Sequence, residues 1–343
     1  MNVHLKVGGR RPDGFHDIES LFLALAFGDT LYLETTPSEA KPSATATPPE
    51  IHMNWQTVNL PPSIPPEKNI ISRAVSLFRS QTGFNTGLKV TVEKRIPPGG
   101  GLGGGSSNAA ATLLALNRLA SDGTAPVNDA VLAEMGASLG SDVPFFLHNT
   151  SAAWVTGRGE RIQPLELPES VMNLAFVLVN PGFPSDTAEA YRLLDDSRAN
   201  VSPEETLTGD TEVHGGHGGK NLRFPYILNH LTQEDWKDTR DSQTTTPCAP
   251  CTPCLCEMDS FPDFLQNWSF FNDFLPVFAD SDKGTAYQRI IAELRELGAD
   301  FAGLSGSGST CFGVFSGRKN AETAQESLLK RWPFVIVTFL LAR

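Results

Sequence analysis

Apolar and polar positions in this chain of 343 residues recur with two periods, and the elements follow from them. Alternation with period two marks strands over Asn2–Val7 and through Leu88, Val90 and Val92. Thr30–Glu34 and Ala152–Thr156 read the same way, and Leu174–Val179 is a short buried strand. Ile18–Phe27 is largely apolar and is broken by Gly28-Asp29. Spacing of three and four predicts helices over Asn69–Phe78, with Ile70, Ile71, Ala74, Val75 and Phe78 inward, and over Ser107–Leu119 and Asp129–Leu139. Further helices start at Ser185-Asp186-Thr187, running through Tyr191 and Leu194, and cover Gly284–Leu297 with Tyr287, Ile290, Ile291 and Leu294 on one side. Gly298 is placed to stop the latter helix. The aromatics of Phe270–Leu275 belong to the core, and helix Ala321–Arg331 with strand Phe334–Leu341 suggests a split β-α-β half of ferredoxin type.

Two stretches depart from this patterning. Thr36–Lys68 is rich in Pro, Ser, Thr and Ala and reads as a mobile insertion. Ala199–Gln266 carries His214 and His217 among glycines, and Cys248, Cys251, Cys254 and Cys256 among Thr and Pro. Thiolates and imidazoles hold zinc. Proline between the cysteines, with no second Cys-x-x-Cys pair, favours a disordered insertion instead, so no metal ligand is assigned.

Composition narrows the class. A 40% hydrophobic and 19% charged content suits a globular protein large enough for two modest domains. The formal net charge of −12 disfavours a nucleic-acid partner. No run of eighteen apolar residues exists and the first twenty residues carry no export or transit pattern, so a cytoplasmic protein with no membrane partner is expected.

The chemistry starts at Pro97–Asn108, where six glycines fall in seven positions between a strand and a helix. Glycine loses the most entropy on folding, so such a run is kept where the backbone turns through positive φ and a ligand approaches bare N–H groups. Its end at a helix N-terminus, with Ser106 and Ser107 as hydroxyl donors, suits a nucleotide triphosphate. No Lys-Ser/Thr follows the glycines, so the loop is not a Walker A motif, and no ribose-binding acid stands at Rossmann spacing. Asp142 in Gly140–Phe146 can cap a helix or serve as the carboxylate that orients an acceptor hydroxyl. Asn69 suits a helix cap.

Pro97, Pro98, Gly99, Gly100, Gly101, Leu102, Gly103, Gly104, Gly105, Ser106, Ser107 and Asn108, followed by Ala-Ala, resemble the glycine loop of the GHMP small-molecule kinases. Within that superfamily the version is similar to the branch acting on a cytidine diphosphate derivative of methylerythritol. Gly140–Phe146 and Leu304–Phe315 match its two further motifs in order. The resemblance implies an α+β GHMP kinase fold of two domains: residues 1–165, of the ribosomal protein S5 domain 2-like type and binding ATP, and residues 166–343, ferredoxin-like, with the site in the cleft between them. It implies ATP-dependent phosphorylation of the acceptor's 2-hydroxyl in non-mevalonate isoprenoid synthesis, with Mg²⁺ and a monomer or homodimer. The loop residues and Asn69 would bind ATP, and Asp142 would be the catalytic base. Asn2, Phe15, His16, Tyr191, Ser307 and Gly308 would bind substrate, with Phe15 and Tyr191 sandwiching the cytosine and His16 at its edge. Tyr191 reads equally well as core.

One mismatch sets an expectation. The family pairs its aspartate with a lysine two residues before the position of Asn2, where this chain has only Met1. Lys6 is not at the matching place, and an upstream true start is expected. The rivals are another GHMP kinase for homoserine, mevalonate or a sugar, a non-catalytic nucleotide sensor lacking the lysine, and a protein binding metal through its cysteines.

Overall fold

A computed structural model describes residues 1–36, 50–55, 68–120, 126–199 and 270–342. The chain opens with strands β1 (Asn2–Arg10) and β2 (His16–Leu23), paired antiparallel with Val7 opposite Ile18. β1 runs three residues beyond its predicted end because Gly8 and Gly9 continue the ladder through a register shift. The turn therefore falls at Arg11–Phe15, where the Arg11 N–H donates to the Phe15 carbonyl at 2.7 Å and Gly14 takes φ 85°. β3 (Thr30–Thr36) follows Gly28-Asp29, and β4 (Glu50–Trp55) pairs parallel to β5 (Gly87–Lys94), with Ile51 opposite Val90. β4 corrects the reading of Thr36–Lys68 as mobile throughout. Ile51, Met53 and Trp55 alternate with polar residues as a strand requires, and the edge of β5 supplies the hydrogen-bonding partner. The remainder of that stretch lies outside the described residues, as do His214, His217 and the four clustered cysteines.

Helix α1 (Ile70–Thr82) is capped by Asn69, whose Oδ1 accepts from the Ile71 N–H, and Gly83 ends it at φ 75°. Helix α2 (Gly104–Ala120) begins three residues before its predicted start at Ser107, because Gly104–Ser106 form its first turn. Next come α3 (Asp129–Leu139), α4 (Val143–Leu147), β6 (Ala152–Gly157), β7 (Arg161–Leu165), α5 (Glu169–Met172), β8 (Ala175–Asn180) and α6 (Thr187–Ala199). The chain closes through α7 (Phe274–Val277), α8 (Asp282–Glu296), β9 (Phe301–Leu304), β10 (Cys311–Phe315), α9 (Arg318–Leu328) and β11 (Phe334–Phe339). No helix among the described residues is long and apolar enough to cross a membrane.

The strands form three sheets, β1-β2-β6-β7, β3-β5-β4 and β11-β8-β10-β9. The last order places first and fourth strands side by side with the helices crossing over, as in the ferredoxin-like arrangement. Strand β8 is buried at every position. Its odd residues Ala175, Val177 and Val179 join one apolar cluster with Leu5, Phe22 and Tyr287, and its even residues Phe176 and Leu178 join another with Val3, Leu21 and Phe312. Both clusters draw on the two halves of the chain, whereas a third, around Phe78, Val90, Leu113 and Met135, lies wholly in the first half.

Asp29 ties these pieces together. Its Oδ1 accepts from the backbone N–H groups of Arg95 (2.8 Å) and Ile96 (2.9 Å), and its Oδ2 from Lys94 Nζ (2.6 Å) and Asn108 Nδ2 (2.9 Å). The carboxylate is fully buried and Lys94 nearly so. A buried ion pair that loses one partner leaves an uncompensated charge, so Asp29→Ala is expected to lower unfolding stability by about 3 to 5 kcal/mol in denaturant titrations. Combined with Lys94→Met, the loss should be smaller than the sum of the two single losses.

Candidate active site

The glycine loop leaves β5 and enters α2. Positive φ occurs at alternate residues, Gly99 (63°), Gly101 (71°) and Gly103 (67°). Alternation of this kind is the backbone pattern of anion-binding nests. A Cβ on Gly101 would stand 2.3 Å from the Ser305 carbonyl oxygen and 2.6 Å from that of Gly308, and one on Gly99 would stand 2.7 Å from Pro184. The glycines are therefore required twice, by conformation and by the approach of a second loop. Pro97 holds the bend, its carbonyl accepting from the Gly100 N–H at 3.2 Å, and Pro98 lies within it. Gly104, Gly105 and Ser106 belong to the first turn of α2, whose free N–H groups favour negative charge.

The second loop, Ser305–Thr310, closes on the first. Thr310 N–H donates to the Gly100 carbonyl (3.0 Å) and Ser305 Oγ to that of Gly101 (2.8 Å), while the Asn2 N–H donates to Ser305 Oγ (3.3 Å). Asn180 Nδ2 donates to Ser309 Oγ (3.0 Å) and Thr310 Oγ1 (3.1 Å) from the end of β8. Ser307 is held by α6 and the turn before it: Ser185 Oγ donates to its carbonyl at 2.6 Å, and its hydroxyl lies 2.9 Å from Thr187 Oγ1. Gly308, at φ 84°, rests over the buried Tyr287 hydroxyl.

Asp142 occupies the cap position of α4 without making a capping hydrogen bond. Its nearest side-chain partner is the Ser141 hydroxyl at 3.5 Å. Burial pushes its carboxyl above the ordinary value of 3.8, against the opposing influence of the amino group of Met1 and of Ser141. Phe146, one turn further along α4, lies 3.0 Å from where a Cβ of Gly103 would stand, so α4 packs against the glycine loop.

The structure brings His16 and Tyr191 together and sets Phe15 apart. Tyr191 stacks on the His16 ring with centroids 4.9 Å apart and planes inclined 20°, and meets Phe274 edge-on. Its phenol is pushed up to about 12, first by burial and then by the charge of Asp142. Phe15 is 55% exposed, with the Arg158 guanidinium over its ring at 5.0 Å. Asn2 lies further in, its amide donating to Ser20 Oγ at 3.0 Å.

Sequence reasoning missed two residues here. Asp195 accepts a hydrogen bond from, or pairs with, His16 Nε2 at 2.8 Å. Thr187, Tyr191 and Asp195 are spaced by four on α6, a pattern visible in the sequence but without a partner to give it meaning. Asp29 is the other, since its donors come from distant segments. Of the expected nucleotide residues, Leu102, Ser107 and Asn108 line a cavity of about 360 Å³ with Leu31, Leu33, Ala111 and Leu114; Asn69, capping α1, does not.

Residues 69–150 match the model of the GHMP kinases N terminal domain, and residues 269–333 that of the GHMP kinases C terminal. A 4-diphosphocytidyl-2-C-methyl-D-erythritol kinase of Treponema pallidum (strain Nichols) is 33% identical over 337 residues, covering 97% of this chain and 93% of its own. The chloroplastic enzyme of that name from Arabidopsis thaliana is 39% identical over 212 residues, 62% of this chain; the match spans about half of the plant protein, 51%. A crystal structure of 4-(cytidine 5'-diphospho)-2C-methyl-D-erythritol kinase superposes with a TM-score of 0.64 at 28% identity, covering 100% of this chain and 97% of that one.

Gly101→Ala is expected to destabilise the ligand-free fold clearly, since the methyl group meets two carbonyl oxygens at a positive φ. Gly105→Ala, whose Cβ would meet only Ile70 at 3.9 Å, should be neutral or stabilising by up to about 1 kcal/mol. Chemical denaturation of the two variants without nucleotide checks the contrast.

Proposed function

Because the chain belongs to the 4-diphosphocytidyl-2-C-methyl-D-erythritol kinases of the GHMP superfamily, we propose that it transfers the γ-phosphoryl group of ATP to the 2-hydroxyl of 4-diphosphocytidyl-2-C-methyl-D-erythritol. The observation that carries this reading is the uncapped, buried carboxylate of Asp142 at the start of α4, a helix whose Phe146 packs against the glycine loop. An aspartate at a helix start that makes no cap is available for other work.

In this mechanism the unpaired N–H groups of the glycine loop and the first turn of α2 hold the triphosphate, in a backbone path that a Cβ at Gly101 would break by meeting the Ser305 and Gly308 carbonyls. Asp142 accepts the proton of the acceptor hydroxyl as its oxygen bonds to the γ-phosphorus and the bond to the bridging oxygen of ADP breaks. Mg²⁺ bound with ATP would neutralise the charge that develops on the transferred phosphoryl group. His16 and Tyr191 hold the base of the acceptor at the other end of α6, with exposed Phe15 as the outer wall.

Asp142→Asn should lower product formation, followed by mass detection of the phosphorylated acceptor, about 10²- to 10⁴-fold, while ATP still raises the melting temperature. A base works only when deprotonated, so kcat should fall as pH drops through the carboxyl's value, and burial puts that acid limb above 3.8. Asp142→Asn should abolish the limb. Equal turnover of cytidine-containing and cytidine-free acceptors would overturn the assigned substrate.

A further inference from the structure

Helix α6 presents Tyr191 and Asp195 to one imidazole, Tyr191 against its face and Asp195 at its edge. The two residues are one turn apart, about 6 Å along the axis, so the backbone of α6 fixes both contacts at once. The His16 ring is buried, whereas Asp195 is one-third exposed. His16 opens β2, directly after the turn closed by Arg11 and Phe15, so its backbone is anchored independently of α6.

An ionised carboxylate has no proton to donate, so the hydrogen bond at 2.8 Å requires the proton on Nε2. In a neutral imidazole Nδ1 is then a bare acceptor. Among the described residues no polar side chain other than Asp195 pairs with this ring. Cytosine offers an exocyclic amine as donor, whereas uracil offers a carbonyl oxygen at the same place. A bare ring nitrogen complements the first and repels the second.

We propose that Asp195 is a positioning residue that holds His16 in the Nε2–H form, so that Nδ1 selects an amino-bearing pyrimidine over its keto counterpart. The proposal rests on the cytidine-containing acceptor proposed above, and it adds the residue that sets the preference. Asp195 touches neither the base nor the reacting atoms. Its effect passes through the proton on His16.

Two measurements on the full chain test this. In nitrogen-15 NMR of the ligand-free protein, His16 should show a protonated Nε2 and a bare Nδ1, and Asp195→Asn should move the population toward Nδ1–H. An Nδ1–H ring in the unaltered protein, or an unchanged tautomer in the variant, overturns the proposal whatever the enzyme's substrate. In the second, cytidine- and uridine-diphosphate-linked acceptors are compared. Asp195→Asn should reduce the cytidine preference in kcat/KM about tenfold or more, through KM, with kcat at saturation within about twofold. Asp195→Glu should restore it. A retained preference in Asp195→Asn overturns the proposal, as would a fall in kcat alone. If the unaltered protein turns over neither acceptor, the proposed substrate fails on its own. The selectivity is then read from calorimetric binding of CDP against UDP with ADP saturating the glycine loop, where an unaltered ratio in Asp195→Asn overturns it.

Discussion

The buried carboxylate of Asp29 is the constraint on which the phosphate loop depends. It faces four donors from two segments: Lys94, Arg95 and Ile96 at and just after the end of β5, and Asn108 in the second turn of α2. Desolvating an ion pair costs several kcal/mol per ion, and only a full complement of hydrogen bonds offsets it. Asp29 has that complement. The two ends of the glycine run, Lys94–Ile96 and Asn108, are thereby held to one atom group, and the flexible residues between them are confined to a short span. Glycine's conformational freedom becomes a defined cradle because its ends cannot move.

A second restraint comes from the other half of the chain. Ser305 and Thr310 donate to the carbonyls of Gly101 and Gly100, turning the oxygens of the glycine loop toward protein. Those bonds satisfy the carbonyls of Gly100 and Gly101 and fix the loop from the other half of the chain. Helix α6 then spans the site. Thr187 meets Ser307 at one end, Tyr191 stacks on His16 in the middle, and Asp195 meets the same ring at the other. Any shift of α6 would be felt at all three places, because one helix carries all three contacts. The apolar clusters that cross between the halves, built on β8, hold this geometry from behind.

Much of the fold was legible in the chain. The strands around Leu88–Val92 and the helices around Phe78 and Tyr287 stand where their periodicity puts them, because each carries one consistently apolar face. The shifts have local causes. The start of α2 was misplaced since glycine reads as loop, although a first helical turn makes no demand on side chains. β4 was missed although Ile51, Met53 and Trp55 alternate with polar residues, because this six-residue run stands inside a stretch dominated by Pro, Ser and Thr. The extension of β1 through Gly8 and Gly9 was hidden by composition in the same way.

For the site, the sequence alone determined the residue types at the centre. A glycine-dense strand-to-helix loop implies bound phosphate, and Asp142 between Ser141 and Val-Pro-Phe-Phe is recognisable as a carboxylate near a helix start. Whether that carboxylate is used up as a cap was open in the sequence and was decided by the backbone of α4, where no capping bond forms. Tertiary structure alone decided that Tyr191 lies on His16 and not free against Phe15, that Asp195 reaches the imidazole, and that Asp29 collects its donors. Each of these is a meeting of side chains 65 to 179 positions apart. Periodicity reports the face on which a residue sits, and only packing reports what stands opposite.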